Sequence, residues 1–344
     1  APPGQRLWGA SALCQLHAAL IQDLLGLRPD AVIGYSSGES NSLFASGTWT
    51  DLDAMIQDAS AGQLFSDEIG GQMNAVQRAW GRDVQWETWT VLAPVDEVQA
   101  LVANEEHVHL SVIHSDTDCI VAGDASGCAR VCDAIGRQRC LRLHYDLAVH
   151  VPELDQVRQP WLALHRRPVT PQDGIRIYSA GHGGAYVPTE TACAEAILAQ
   201  ANRPLDFRRV IEAAWADGVR VFVEHGPQGS CSRWIRDILG DRDAVVVHLD
   251  RRGAGLQPLL EAVAALWVAG VELNVTPLLE RIALEPTVTG PSLRFSAHPP
   301  AVEIPPMPLA PAPAEPAIEQ PTTEQPTTEQ PTTEQPAMQR MEPA

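Results

Sequence analysis

The sequence predicts an α/β protein: a parallel-sheet body, a small mixed unit set into it, and a tail with no core of its own. Three observations carry this. Short apolar runs alternate with helical periods over most of the chain, which implies a parallel sheet covered on both faces. Between Thr90 and Leu147 the rhythm changes to β-α-β-β-α-β, the order of a ferredoxin-like unit. From residue 285 onward Pro, Ala, Glu and Thr dominate, and "EQPTTEQPTTEQPTTEQP" repeats a five-residue period.

Leu13–Leu25 has apolar residues at helical spacing, "DAVIGYS" reads as a short buried strand, and Glu39–Phe44 opens the next helix. Further along come a strand at "GIRIYSA", a helix over Thr189–Ala199, a strand at "VRVFVEHGP" and a helix over Ser230–Leu239. "AVVVHLD" is the last strand and Gln257–Ala269 the helix after it. Inside the mixed unit, "TVLAP" is a strand and Val95–Ala103 a helix. "VHLSVIHS" and "DCIVAGD" form an antiparallel pair, Ser126–Ile135 is a helix and "CLRLHYDL" a closing strand. The expected division is therefore a body over residues 5–89 and 148–280, the ferredoxin-like unit over 90–147, and a linker over 285–344. Regular prolines remove backbone donors and favour extended chain, so the linker is expected to be disordered and semi-stiff, a tether between domains of a larger polypeptide.

With 344 residues and 45% hydrophobic content, there is material for one large or two modest cores. A net charge of −19 argues against nucleic-acid binding, which needs a basic face. Every basic residue outside the histidines is Arg, which reads as genomic bias. The seven cysteines form no CxxC pair, so neither a disulfide framework nor a metal site is expected, and a cytoplasmic setting is. No apolar run reaches the roughly 18–20 residues of a membrane span; Leu259–Val271 is interrupted by Glu261 and fits a core helix.

The chemistry concentrates in Gly34-Tyr35-Ser36-Ser37-Gly38, a G-x-S-x-G motif between a strand and a helix. Such an elbow exposes a nucleophilic serine, and the helix that follows aims unpaired N–H groups at a developing oxyanion. Ser36 is thus the candidate nucleophile and the Ser37 N–H the first oxyanion donor. The flanking glycines are expected to let backbone pass closely. A hydroxyl nucleophile needs a base. His150, in "DLAVHVPEL", lies where the mixed unit returns to the body, a place where clefts form. His225, in "VEHGPQG", is its rival. His107, His109 and His248 fit surface, packing or sheet roles better.

Four segments, in order and spacing, resemble the acyltransferase domains of polyketide and fatty-acid synthases, the malonyl-CoA:ACP transacylase family. They are "RPDAVIGYSSGE", "CIVAGD", "AVHVPEL" and "ADGVRVFVEHGPQG", and the likeness covers residues of about 5 to 280. The wording is nearest to acyltransferases of iterative synthases such as polyunsaturated-fatty-acid synthases. The resemblance implies an α/β-hydrolase-like body, Ser36 as the acylated nucleophile and His150 as the base. It demotes His225. It implies that a backbone carbonyl orients the histidine, here that of Gln200. Acyl-CoA and the phosphopantetheine of an acyl carrier protein would be substrates, with no bound cofactor or metal. The partners would be that carrier protein and neighbouring synthase domains.

Departures from the family pattern matter as much. Malonyl-selecting members place an Arg where "DASAGQLF" has Ala61, and Leu147-Ala148-Val149-His150 is neither the HAFH nor the YASH form. Without a guanidinium, a buried malonyl carboxylate would stay unpaired at a cost of several kcal/mol. A neutral acyl group is expected, with Tyr35, Ala61 and Val149 in its pocket. Tyr35 takes the place of the family's usual histidine. The family's G-Q-G-S-Q loop, source of a second oxyanion donor, should lie upstream, and "APPGQRLWG" is too near the elbow to be it. The chain is therefore expected to begin inside the domain; one such donor is worth about 10²–10³ in rate. Two other functions share these residues: a serine thioesterase using Asp217 and His225, and a non-catalytic docking domain.

Overall fold

The computed structural model describes residues 3–282, with side chains from residue 6; the expected linker lies outside the described residues. Helix α1 (Pro3–Ala19) starts ten residues earlier than its apolar spacing indicates. It loosens into a π-helical turn, Leu20–Leu24, where Leu25 N–H donates to the Leu20 carbonyl. Strand β1 (Ala31–Ile33) and helix α2 (Gly38–Ala45) follow. Helix α3 (Leu52–Ala61) is capped by Asp51, whose carboxylate accepts from Ala54 N, and α4 (Asn74–Trp80) completes the first part of the body.

The mixed unit comprises β2 (Trp86–Val91), α5 (Val95–Val102), β3 (Val108–Ser115), β4 (Asp118–Asp124), α6 (Ala125–Ile135) and β5 (Cys140–Leu143). Asp124 ends β4 and caps α6 by accepting from Gly127 N. The strands lie in the order β5-β2-β4-β3, with β2–β4, β2–β5 and β3–β4 all antiparallel. One apolar cluster built from Val91, Val98, Leu110, Val121 and Val131 fills the unit.

The chain then forms α7 (Arg158–His165), β6 (Arg176–Ser179), β7 (Gly184–Tyr186), α8 (Glu190–Ala201), β8 (Leu205–Asp206) and α9 (Phe207–Ala216). It ends with β9 (Val221–Glu224), α10 (Ser230–Leu239), β10 (Val245–His248), α11 (Gln257–Val268) and α12 (Thr276–Ile282).

The single parallel sheet expected for the body is divided among the described residues. β1 and β6 pair in parallel, with β7 added antiparallel as a hairpin. β9 and β10 pair in parallel in a separate ladder. β8 joins β3 of the mixed unit, also in parallel. Packing explains the division. Phe222 and Val246 point into a core with Tyr178, Phe207 and Trp234, while Val247 meets Leu259 and Leu266 of α11 on the other side. Both faces of the β9–β10 pair are buried against other elements, so the pair is stable without further strands. The final strand of the unit also stops at Leu143, short of the "HYDL" that the alternation includes.

No described helix is long and apolar enough to cross a membrane. All seven cysteines are free thiols.

Candidate active site

The elbow forms because β1 ends at Ile33 and the chain reverses within one turn. Gly38 N–H donates to the Tyr35 carbonyl at 2.8 Å and Glu39 N–H to the Ser36 carbonyl at 3.0 Å. A Cβ on Gly34 would lie 2.2 Å from the Glu39 backbone, so only glycine fits there. Gly38 has open space around it. One of the two glycines, not both, is sterically required. Ser36 itself sits at φ +54°, the left-handed region that non-glycine residues seldom occupy.

Ser36 Oγ lies 2.9 Å from His150 Nε2. His150 also has a left-handed backbone, φ +61°, and its N–H donates to the Ala201 carbonyl. Its Nδ1 is 2.6 Å from the Gln200 carbonyl. A carbonyl only accepts, so Nδ1 carries the proton and Nε2 offers its lone pair to the serine hydroxyl. Burial holds the His150 pKa at about 4, opposed in part by the Gln200 carbonyl, so the ring is neutral near pH 7. The Gln200 side chain donates from Nε2 to the Ser36 carbonyl at 3.1 Å, which ties the two halves of the pair together.

Two buried groups behind the elbow escaped the sequence reading. Glu39 Oε1 accepts from Ser179 Oγ at 2.9 Å and Ala180 N at 2.6 Å, fastening α2 to the end of β6. Burial pushes its carboxyl up to about 8. On the other side, Tyr35 Oη meets His114 Nε2 at 2.8 Å, and His114 Nδ1 meets Asp118 Oδ1 at 2.8 Å. Trp234 Nε1 and Arg233 donate to the other Asp118 oxygen, and the His114 and Trp234 rings stack at 3.7 Å. The elbow is thereby bolted to the mixed unit and to α10. The "GE" after the elbow was a usable signal for Glu39; nothing local in the sequence links Tyr35 to a histidine 79 positions away.

A cavity of about 340 Å³ opens on Ser36. Tyr35, Ser37, Val149, His150 and Gln200 all line it. Its apolar wall includes Trp8, Met55, Phe65, Leu147, Trp161 and Ile197.

Ala61 is the exception among the predicted site residues. It is exposed at the end of α3 and is not part of the cavity wall. The reason is local: the helix stops at Gly62, and Gln63 turns left-handed at φ +54°, so the next turn delivers Phe65 inward instead. Among the described residues no arginine lines the cavity.

The competing pair does not assemble. Asp217 accepts from Tyr178 Oη at 2.8 Å, and the His225 ring lies beside His17 at 6.3 Å. Among the described residues no three or more His, Cys, Asp or Glu side chains are grouped to hold a metal.

No family model matches the sequence. The acyltransferase domain from the second module of the salinomycin polyketide synthase superposes with a TM-score of 0.66 at 21% identity, covering 85% of this chain and 65% of that one. The fold is that of an acyltransferase domain. The malonyl-CoA:acyl carrier protein transacylase of Xanthomonas oryzae shares this acyltransferase fold at a TM-score of 0.60 and 18% identity, covering 74% of this chain and 77% of that one. In sequence, one component of a polyunsaturated fatty acid synthase from Thraustochytrium is 23% identical over 253 residues, 68% of this chain. Mellein synthase of Phaeosphaeria nodorum is 25% identical over 257 residues, 72% of this chain. The chain spans only 12% and 14% of these two relatives.

Proposed function

We propose that this chain is the acyltransferase domain of a multidomain polyketide or polyunsaturated-fatty-acid synthase, working in the cytoplasm beside other synthase domains. Within it, the strand order β5-β2-β4-β3 supports a ferredoxin-like insert, and we read the remainder as an α/β-hydrolase-like body.

The observation that carries the reading is the 2.9 Å contact between Ser36 Oγ and a neutral, carbonyl-oriented His150. Nε2 takes the serine proton as Oγ attacks an acyl thioester, and the negative charge on the thioester oxygen falls to the Ser37 N–H at the start of α2. The tetrahedral adduct collapses to acyl-Ser36, and the imidazolium returns its proton to the departing CoA thiolate. The phosphopantetheine thiol of an acyl carrier protein then attacks the ester by the same steps in reverse. CoA and carrier protein are substrates; no resident cofactor has a part in these steps.

Transfer rather than hydrolysis requires water to be kept from the ester, and the mainly apolar cavity wall favours that. The same wall favours a neutral acyl group. A malonyl carboxylate there would meet no guanidinium, whereas an alkyl chain gains about 25 cal/mol for each Å² of apolar surface it buries.

Incubation with acetyl-, octanoyl- and malonyl-CoA, with and without an acyl carrier protein, tests this by intact mass. Acetyl or octanoyl passing through the domain to the carrier is expected. Rapid malonyl loading would overturn the neutral-acyl part, and release of free acid without carrier acylation would point to the thioesterase.

A further inference from the structure

His165 is a buried histidine that the steps above do not use. It closes α7, is 3% exposed and lines the same cavity as Ser36, its ring 4.8 Å from that of Trp161. Its Nδ1 lies 2.8 Å from the Trp161 carbonyl one turn back in the helix. That carbonyl can only accept, so the proton sits on Nδ1 and Nε2 is left with a lone pair. Among the described residues Nε2 has no partner, and none of the cavity hydroxyls bonds to it. Burial keeps the ring neutral, with a pKa of about 4, so Nε2 does not become a donor near pH 7.

An acceptor with no donor, set in an otherwise largely apolar wall, discriminates between chains. A saturated alkyl group laid against it strips its water and offers nothing in return. A carbonyl oxygen offers a second acceptor. A hydroxyl supplies the proton that Nε2 lacks. Building on the acyltransfer reading, we propose that His165 selects acyl groups that carry a hydroxyl, so that the preferred substrates are hydroxyacyl thioesters. The hydroxyl of such a chain would donate its O–H to Nε2.

The test uses the full chain and follows the initial rate of mass gain at Ser36. Octanoyl-CoA is compared with its hydroxylated positional isomers in the wild type, in His165→Leu, which removes the acceptor, and in His165→Gln, which keeps one. The expected result is a preference of roughly tenfold for one hydroxylated isomer over octanoyl, the scale of one buried hydrogen bond. The preference should vanish in His165→Leu and survive in part in His165→Gln. Equal wild-type rates for all isomers would overturn the proposal even if both variants failed to fold, and so would a preference unchanged by His165→Leu. Adducts without preference take down this inference alone; absence of any Ser36 adduct takes down the acyltransfer reading along with it.

Discussion

The Gln200 carbonyl sits 2.6 Å from His150 Nδ1, so the orienting group of the Ser36 pair belongs to the main chain and not to a carboxylate. The side chain of Gln200 has the separate task of holding the Ser36 carbonyl. Gln200→Ala should therefore keep the histidine tautomer and lower the acylation rate by about tenfold or less, the worth of one neutral hydrogen bond. His150→Ala removes the base itself and should cost about 10⁴-fold or more. Single-turnover acylation of the two variants checks the gap; equal losses would contradict the division of labour.

The two glycines of the motif should behave oppositely. In Gly34→Ala the new Cβ meets Glu39 backbone at 2.2 Å, which no rotamer change relieves. A loss of about 3 kcal/mol or more in urea unfolding is expected. Gly38→Ala adds a methyl to open space in the first turn of α2, so stability should stay level or rise by up to about 1 kcal/mol.

Activity should persist well below neutral pH. His150 serves as base only when neutral, and its pKa is held at about 4. Acylation should be flat from pH 7 to about 5 and fall as pH drops through about 4, measured by pH-jump single turnover. A midpoint near 6.5 would mean that the ring is solvated in solution.

Stability has its own pH dependence, with two opposing sources. His150 and His165 are buried and His225 is half-buried, each with pKa lowered to about 4 from an ordinary 6.5, so the unfolded chain takes up protons first as pH falls. Their contribution is intact above about 6.5 and is lost on the way down to 4. Glu39 acts the other way. Its folded pKa of about 8 exceeds the ordinary 4.5, so its contribution is full below 4.5 and is lost as pH rises through 8. Glu39→Gln should unfold with less alkaline destabilisation than wild type between pH 7 and 9 in thermal melts. A variant that tracks wild type over that range would place the carboxyl outside the buried environment described.

The order of elements in the mixed unit could be read from short apolar runs set apart by turns, and Asp124 marks the start of α6. The elbow could be read from a short motif with a steric cause, whereas His150 was set above its rival His225 only by the resemblance to acyltransferase domains. The division of the body sheet was not legible, because ladder partners depend on which faces the Leu20–Leu24 turn, α10 and α11 cover, a matter of three-dimensional packing. Ala61 was misplaced for a similar reason. The resemblance pointed to Ala61, but the left-handed turn at Gln63 decides which side chain enters the cavity. The Tyr35–His114–Asp118 chain joins segments far apart in sequence, and no local pattern announces it.

The central claim is that Ser36, activated by His150, carries an acyl group. Peptide mapping after incubation with octanoyl-CoA and its hydroxylated isomers tests it most directly. The account predicts an acyl adduct on the peptide containing Ser36, absent in Ser36→Ala and strongly slowed in His150→Ala. An adduct that persists in Ser36→Ala, or one mapped to a cysteine, would contradict it.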